Sequence, residues 1–277
     1  MRGKTATLLA LLLLVGCQQS PTLRDRGGYW VDDSQRALRA EPRIRYLVLH
    51  YTAEDFPSSL RVLTGKRVSA HYLVPAAPPR RGGRPVVWQL VPESRSAWHA
   101  GVSYWRGQTH LNDNSIGIEI ENPGYRRTSH GIVWYPFTPQ QITAVRALAQ
   151  DIVRRYAIAP QNVVGHMDIA PQRKVDPGPL FPWQMLAQQG IGAWPEAARV
   201  RDSLQRYRQR PPDVAYLQRR LAQWGYQIEP SGINDAASRR VIAAFQMHFR
   251  PTDFRGEPDA ETTAIVDALI AQYGAVD

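Results

Sequence analysis

The hydrophobic pattern changes period several times along the chain. Residues 43–53, RIRYLVLHYTA, carry a nearly continuous apolar run, as expected of a strand covered on both faces. PVVWQLVP (85–92) is a second strand, preceded by the turn-like PPRRGGRP. NSIGIEIENPG (114–124) alternates strictly. Ile116, Ile118 and Ile120 lie on one face, Gly117, Glu119 and Glu121 on the other, until Pro123 and Gly124 end the strand. In FTPQQITAVRALAQDIVRRYAI the period becomes helical, with a stripe of Ile142, Val145, Leu148, Ile152 and Tyr156. Thr138 suits the N-cap, Pro139 the first helical position, and Gln141 completes a capping box. NVVGH (162–166) is a further strand. Strands interleaved with helices predict an α/β domain over 41–194, a central mixed sheet flanked by helices.

Beyond it, 195–212 carries Arg199, Arg201, Arg206, Arg208 and Arg210 and then two prolines, the pattern of a partly helical, solvated connector. Residues 213–277 read as a small all-α domain of three helices. VAYLQRRLAQWGY opens it, and two related units follow: GINDAASRRVIAAF (232–245) aligns with GEPDAETTAIVDAL (256–269). Asp235 and Asp259 each fit an N-cap, with Ser238 or Thr262 three positions later.

The N-terminus, MRGKTATLLALLLLVGC, has a basic start and an apolar run shorter than the about 20 residues a spanning helix needs. Residues 1–16 read as a secretory signal. LVGC resembles the bacterial lipobox, which implies cleavage before Cys17, lipidation of its thiol and a tether over 17–40. By resemblance to Gram-negative lipoproteins, Gln18 rather than Asp after the cysteine favours the outer membrane. Cys17 is the only cysteine, which excludes an internal disulfide and argues against a cysteine nucleophile. The formal net charge of +10 becomes 10 − 2 = +8 without Arg2 and Lys4. Such a balance favours an anionic partner. Export argues against nucleic acid and for anionic peptidoglycan and lipid surfaces. Lysine occurs only at 4, 66 and 174, which singles out Lys174.

The stretch VVGHMDIAPQRKVDPGPLFPW (163–183) holds Lys174, one histidine and two aspartates in a loop with four prolines, whose fixed φ angles restrain it. His50 and His166 each end an apolar strand, where functional groups of α/β sheets gather. A lone histidine there is usually structural. Two of them with a loop aspartate match a frequent catalytic zinc set, although the spacing alone is weak. Asp176 and Asp168 compete for the carboxylate role, and Asp168 equally suits a turn cap. Glu119 shares the Gly117 face, as a base near a metal or as a surface carboxylate. Lys174 is an oxyanion partner or a solvated loop lysine.

Together, LVLHYTA, SAHYLV, AWHAG, NSIGIEIEN and the 163–183 stretch resemble the zinc-dependent N-acetylmuramoyl-L-alanine amidases, a family related to peptidoglycan-recognition proteins. The resemblance implies one Zn2+ per chain on His50, His166 and Asp176. It implies Glu119 as general base, Lys174 as oxyanion stabiliser, and Asp168 outside the ligand set. His71, Tyr72, Trp98 and His99 fall in segments that line the substrate groove. The reaction implied is hydrolysis of the amide between N-acetylmuramic acid and L-alanine. The C-terminal repeat resembles a peptidoglycan-binding module, expected to add affinity for polymer rather than chemistry. With the lipobox, the whole is similar to periplasm-facing lipoprotein amidases of Gram-negative outer membranes. The alternative is a non-catalytic peptidoglycan receptor, which would not need the complete His-His-Asp set with Glu119 and Lys174.

Overall fold

A computed structural model of the chain describes residues 23–35 and 37–276. The signal segment and Cys17 lie outside these residues. The chain up to Glu41 forms a unit of its own. Where the sequence reads as a plain tether, this unit holds an antiparallel ribbon of Leu23–Asp25 with Trp30–Asp32.

From Pro42 onward, a five-stranded sheet forms the centre. Its spatial order is Val163–Gly165, Tyr46–Tyr51, Ser115–Ile120, Tyr72–Val74 and Trp88–Gln89. The first four strands run parallel and the last is antiparallel, so the sheet is mixed as expected. The Tyr46–Tyr51 strand lies inside the sheet, and Leu47, Val48 and Leu49 are wholly buried, which explains its unbroken apolar run. Burying each such side chain contributes roughly 1.5–3 kcal/mol. The 85–92 run forms only a two-residue sheet strand, and within it Trp88 and Leu90 pack on a small satellite cluster of Leu63, Ala70 and Leu73 while Val87 packs on the main core.

Helix α1 (Phe56–Leu63) follows the first sheet strand, capped by Asp55, whose side chain accepts from Ser58 N–H. Helix α2 (Pro139–Tyr156) packs on the sheet, and Thr138 Oγ1 accepts from Gln141 N–H as an N-cap. The Gln141 side chain differs from the expected capping box. It is buried and donates to Glu121 O at 2.7 Å, satisfying a carbonyl at a strand end. Helices α3 (His166–Ile169) and α4 (Trp183–Ala187) are short and bracket the proline-rich loop.

The C-terminal region contains α5 (Ala197–Gln209), α6 (Val214–Trp224), α7 (Ala236–Phe249) and α8 (Ala260–Tyr273). Helix α5 covers most of the segment read as a connector. It lies along α8, turning Ser203 and Tyr207 inward and its arginines toward solvent, and the Tyr207 hydroxyl donates to Asp267 of α8. The repeat has a physical basis in two buried glutamines. Gln218 accepts from Gly232 N–H and donates to Ile233 O and Ser238 Oγ. Gln246 accepts from Gly256 N–H and donates to Glu257 O and Thr262 Oγ1. Each turn is closed by the expected cap, Asp235 or Asp259. One continuous apolar core joins Trp105, Met167 and Trp183 of the sheet side to Tyr226, Phe245 and Phe249 of the helices.

Glu93 links α2 to the sheet. It takes a bidentate pair from Arg155 and hydroxyl bonds from Tyr72 and Tyr156. The Arg155 bonds, opposed by burial and reinforced by the two tyrosines, lower its pKa from 4.5 to about 2. Because the folded pKa is depressed, this stabilisation is complete above pH 4.5 and is lost as pH falls toward 2. Arg155 is 37% exposed, so screening limits the gain to about 1–2 kcal/mol. Glu93→Gln is expected to lower stability by that amount at pH 7 and to flatten the pH dependence in this window. Urea denaturation across the range measures both, and a mutant with unchanged acid sensitivity contradicts the assignment.

Candidate metal centre

The parallel register builds the site. Glu119 pairs with His50, and Gly165 pairs with Leu49, so His166 reaches the level of His50 one residue later. His50, Glu119 and His166 therefore sit together at the C-terminal ends of three adjacent strands. The proline-rich loop then folds back and brings in Asp176. Gly165 permits this return, because a Cβ there would lie 2.7 Å from Pro177 Cδ. Met167 N–H donates to Asp176 O at 2.8 Å and fixes the loop to α3.

His50 Nδ1, His166 Nδ1 and Asp176 Oδ2 form a small triangle. The two nitrogens are 2.9 Å apart, and each lies 3.2 Å from the carboxylate oxygen. All three side chains are buried, and among the described residues they form a group able to hold a metal ion. Tetrahedral ligands with bonds of about 2.0–2.1 Å stand about 3.3 Å from one another. The triangle approaches that spacing, and two imidazoles with one carboxylate leave a fourth position, so the donor set fits a catalytic zinc.

The far sides of both imidazoles also have partners. His166 Nε2 lies 3.2 Å from Ala100 O and 3.3 Å from Arg173 Nη2, and the tautomer that donates to Ala100 O is the one that leaves the Nδ1 lone pair for a metal. Arg173 donates to the carbonyls of Ala100 and Val102 beside it. Behind His50 runs a longer chain. Ser115 Oγ–H donates to Leu111 O and accepts from His99 Nε2–H at 3.2 Å. His99 Nδ1 then accepts from His50 Nε2–H at 3.0 Å, leaving His50 Nδ1 free to coordinate. Burial, then the neighbouring His166, lowers the His50 pKa to about 4. Burial, then His50, holds His99 well below its ordinary value. Burial disfavours ionised Asp176, but His166 and then His50 outweigh it and hold the carboxyl well below the usual carboxylate range. Two imidazole nitrogens and one carboxylate oxygen thus converge on the position a cation would take.

A cavity of about 410 Å³ opens onto the site, with Glu119, His166, Lys174 and Asp176 in its wall. The Glu119 carboxyl is pushed up to about 8 by burial and then by the charge of Asp176, with Lys174 opposing. Its Oε2 is buried and makes no hydrogen bond to the protein. Trp98, 68% exposed, stands at the cavity.

Of the other three groove candidates, His71 and Tyr72 lie away from the cavity. His71 is fully buried. It accepts from Gly117 N–H at Nδ1 and meets Arg95 O at Nε2, so it braces the sheet. Tyr72 points to Glu93, and neither residue lines the cavity. His99 reaches the cavity wall, but its bonds run to His50 and Ser115. Asp168, the rival ligand, accepts from Gly165 N–H at 2.7 Å and lies outside the donor triangle. Sequence reasoning missed Ser115 and Arg173. The glycine between Ile116 and Ile118 was a signal for the His99 chain, since a Cβ on Gly117 would lie 2.5 Å from the His99 ring.

The family described as N-acetylmuramoyl-L-alanine amidase matches residues 40–179, and one described as putative peptidoglycan binding domain matches residues 210–266. The chain is 57% identical over 266 residues, 96% of each chain, to N-acetylmuramoyl-L-alanine amidase AmiD of Escherichia coli strain K12. It is 44% identical over 104 residues, 38% of this chain and 50% of that protein, to 1,6-anhydro-N-acetylmuramyl-L-alanine amidase AmpD of Enterobacter cloacae. Among solved structures, it is similar to E. coli AmiD bound to the substrate anhydro-N-acetylmuramic acid-L-Ala-D-gamma-Glu-L-Lys. The TM-score is 0.87 at 56% identity, over 92% of this chain and 99% of that one. AmpDh3 of Pseudomonas aeruginosa superposes with a TM-score of 0.79 at 40% identity, over 90% and 98% of the two chains.

His99→Phe keeps the ring volume and removes both polar bonds. It is expected to weaken metal binding about 10–100-fold, the usual effect of losing a residue that orients a ligand. Gly117→Ala displaces the same ring and acts in the same direction. Competition with a chromophoric chelator reads both, and wild-type affinity in the two folded variants contradicts the tautomer chain.

Proposed function

The chain belongs to the N-acetylmuramoyl-L-alanine amidase family, and on that premise we propose that it is a zinc-dependent enzyme of peptidoglycan turnover. It hydrolyses the amide between N-acetylmuramic acid and L-alanine. The observation that carries the zinc dependence is the buried triangle of His50, His166 and Asp176 beside an open cavity. The identity over nearly the whole chain with E. coli AmiD supports the reaction.

In this reading His50, His166 and Asp176 hold the metal. A zinc held there would supply Lewis acidity, which lowers the pKa of a bound water to about 7 and polarises an amide carbonyl. Glu119, at the strand level of His50, takes the proton of the attacking water. Burial gives this carboxyl a high proton affinity, so it can carry the proton to the leaving L-alanine nitrogen. Lys174 places a positive charge in the same cavity, where negative charge develops on the carbonyl oxygen. Trp98 offers the sugar or peptide an exposed aromatic face at the entrance.

The receptor alternative has no use for a buried donor triangle, and no structural observation favours it. We further propose that Cys17 carries a lipid anchor that holds the protein on the outer membrane, facing the periplasm. The lipobox-like LVGC supports this.

Alanine at His50, His166 or Asp176 is expected to lower zinc content and turnover together. Glu119→Ala and Lys174→Ala are expected to keep zinc, and loss of the base costs about 10²–10⁴-fold in rate. Metal analysis beside mass spectrometry of muropeptides, with and without chelator, separates the two groups. Full activity in Glu119→Ala overturns the mechanism. For the anchor, Cys17→Ala is expected to move the protein from the detergent phase to the aqueous phase. Unchanged partitioning overturns the anchor.

A further inference from the structure

Asp168 lies two residues after His166, in a helix of one turn. Such a helix has little stability of its own. Gly165 gives it no side-chain cap, and Asp168 serves from within by accepting from Gly165 N–H. The remaining partners of this carboxylate come from the C-terminal helices. Tyr226, just after α6, donates its hydroxyl to Oδ1, and His248 of α7 donates from Nδ1 to Oδ2 at 2.7 Å. Asp168 is completely buried and the His248 side chain is 3% exposed. The His248 ring is stacked on Trp183 with centroids 3.8 Å apart, which fixes its orientation.

We propose that the C-terminal helical module is a positioning element of the metal centre. Tyr226 and His248 hold Asp168, and Asp168 holds the single helical turn that presents His166. The Met167 amide binds the backbone carbonyl of Asp176, so the same turn fixes the second loop ligand. Two of the three metal donors thus depend on side chains from a region that the sequence assigns to polymer binding alone. The contact is polar and satisfied at every oxygen of the carboxylate. An interface serving only adhesion has no need to bury an aspartate so close to a ligand. Tyr226 and His248 touch neither metal nor substrate, and they act through Asp168.

This inference rests on the metal-dependent amidase reading. The test uses the full chain with Tyr226→Phe, His248→Leu and His248→Asn. Tyr226→Phe removes one hydroxyl and keeps the ring. His248→Asn retains a donor near the Nδ1 position, and His248→Leu does not. Zinc affinity is read by chelator competition, and kcat and KM on a soluble muramoyl-peptide too small to need polymer binding. Tyr226→Phe and His248→Leu are expected to bind zinc about 10–100-fold more weakly and to lower kcat more than they raise KM. His248→Asn is expected to recover most of both. Folded variants with wild-type zinc affinity and kcat overturn the inference, even if their melting temperature falls. Wild-type protein that neither binds zinc nor cleaves the fragment overturns the amidase reading and this inference with it, a result distinct from the first.

Discussion

Three lone-pair donors held about 3 Å apart and buried at the edge of a cavity set the terms for the rest of the structure. Left to themselves, His50 Nδ1, His166 Nδ1 and Asp176 Oδ2 would each seek a proton or a water. The protein holds them together by spending hydrogen bonds on their far sides. Ala100 O holds His166, the chain of His99, Ser115 and Leu111 O holds His50, and the Met167 amide holds the Asp176 backbone. Each of these bonds ends in a carbonyl or lies in the sheet, so the ring orientations are inherited from rigid backbone. Desolvation then acts on all three together, and a cation is the natural partner for two imidazole lone pairs and a carboxylate.

The sheet register supplies the remaining precision. Parallel pairing puts His50, Glu119 and His166 on one level without any long-range loop having to find its place. Close approach is then allowed where a side chain would block it, at Gly117 against His99 and at Gly165 against Pro177. The same logic extends to the C-terminal helices, which share one apolar core with the sheet and contribute both outer partners of Asp168.

Much of this was legible in the sequence. The strict alternation at 114–124 gave the strand and the face of Glu119, and the Thr138-Pro139 pair gave the start of α2. The repeat at 232 and 256 marked two capped turns. The ligand trio came from ordered motifs, since His50 and His166 are far apart in sequence and only the register brings them together. What stayed hidden was partnership at a distance. Gln141 looks like a capping residue until the strand carbonyl it reaches is in view. His71 and Tyr72 look like groove residues until Gly117 and Glu93 claim them. The arginines of 195–212 obscured the inward stripe of α5. Asp168 looks like a turn cap, and nothing near it in sequence announces Tyr226 or His248.

X-ray absorption at the zinc edge of the metal-loaded protein addresses the donor triangle most directly. The account predicts two imidazole nitrogens at about 2.0–2.1 Å with oxygen ligands at about 2.0–2.2 Å completing four-coordination. A shell of three imidazoles, which would draw His99 out of its bond to His50, or a protein that takes up no zinc, would contradict it.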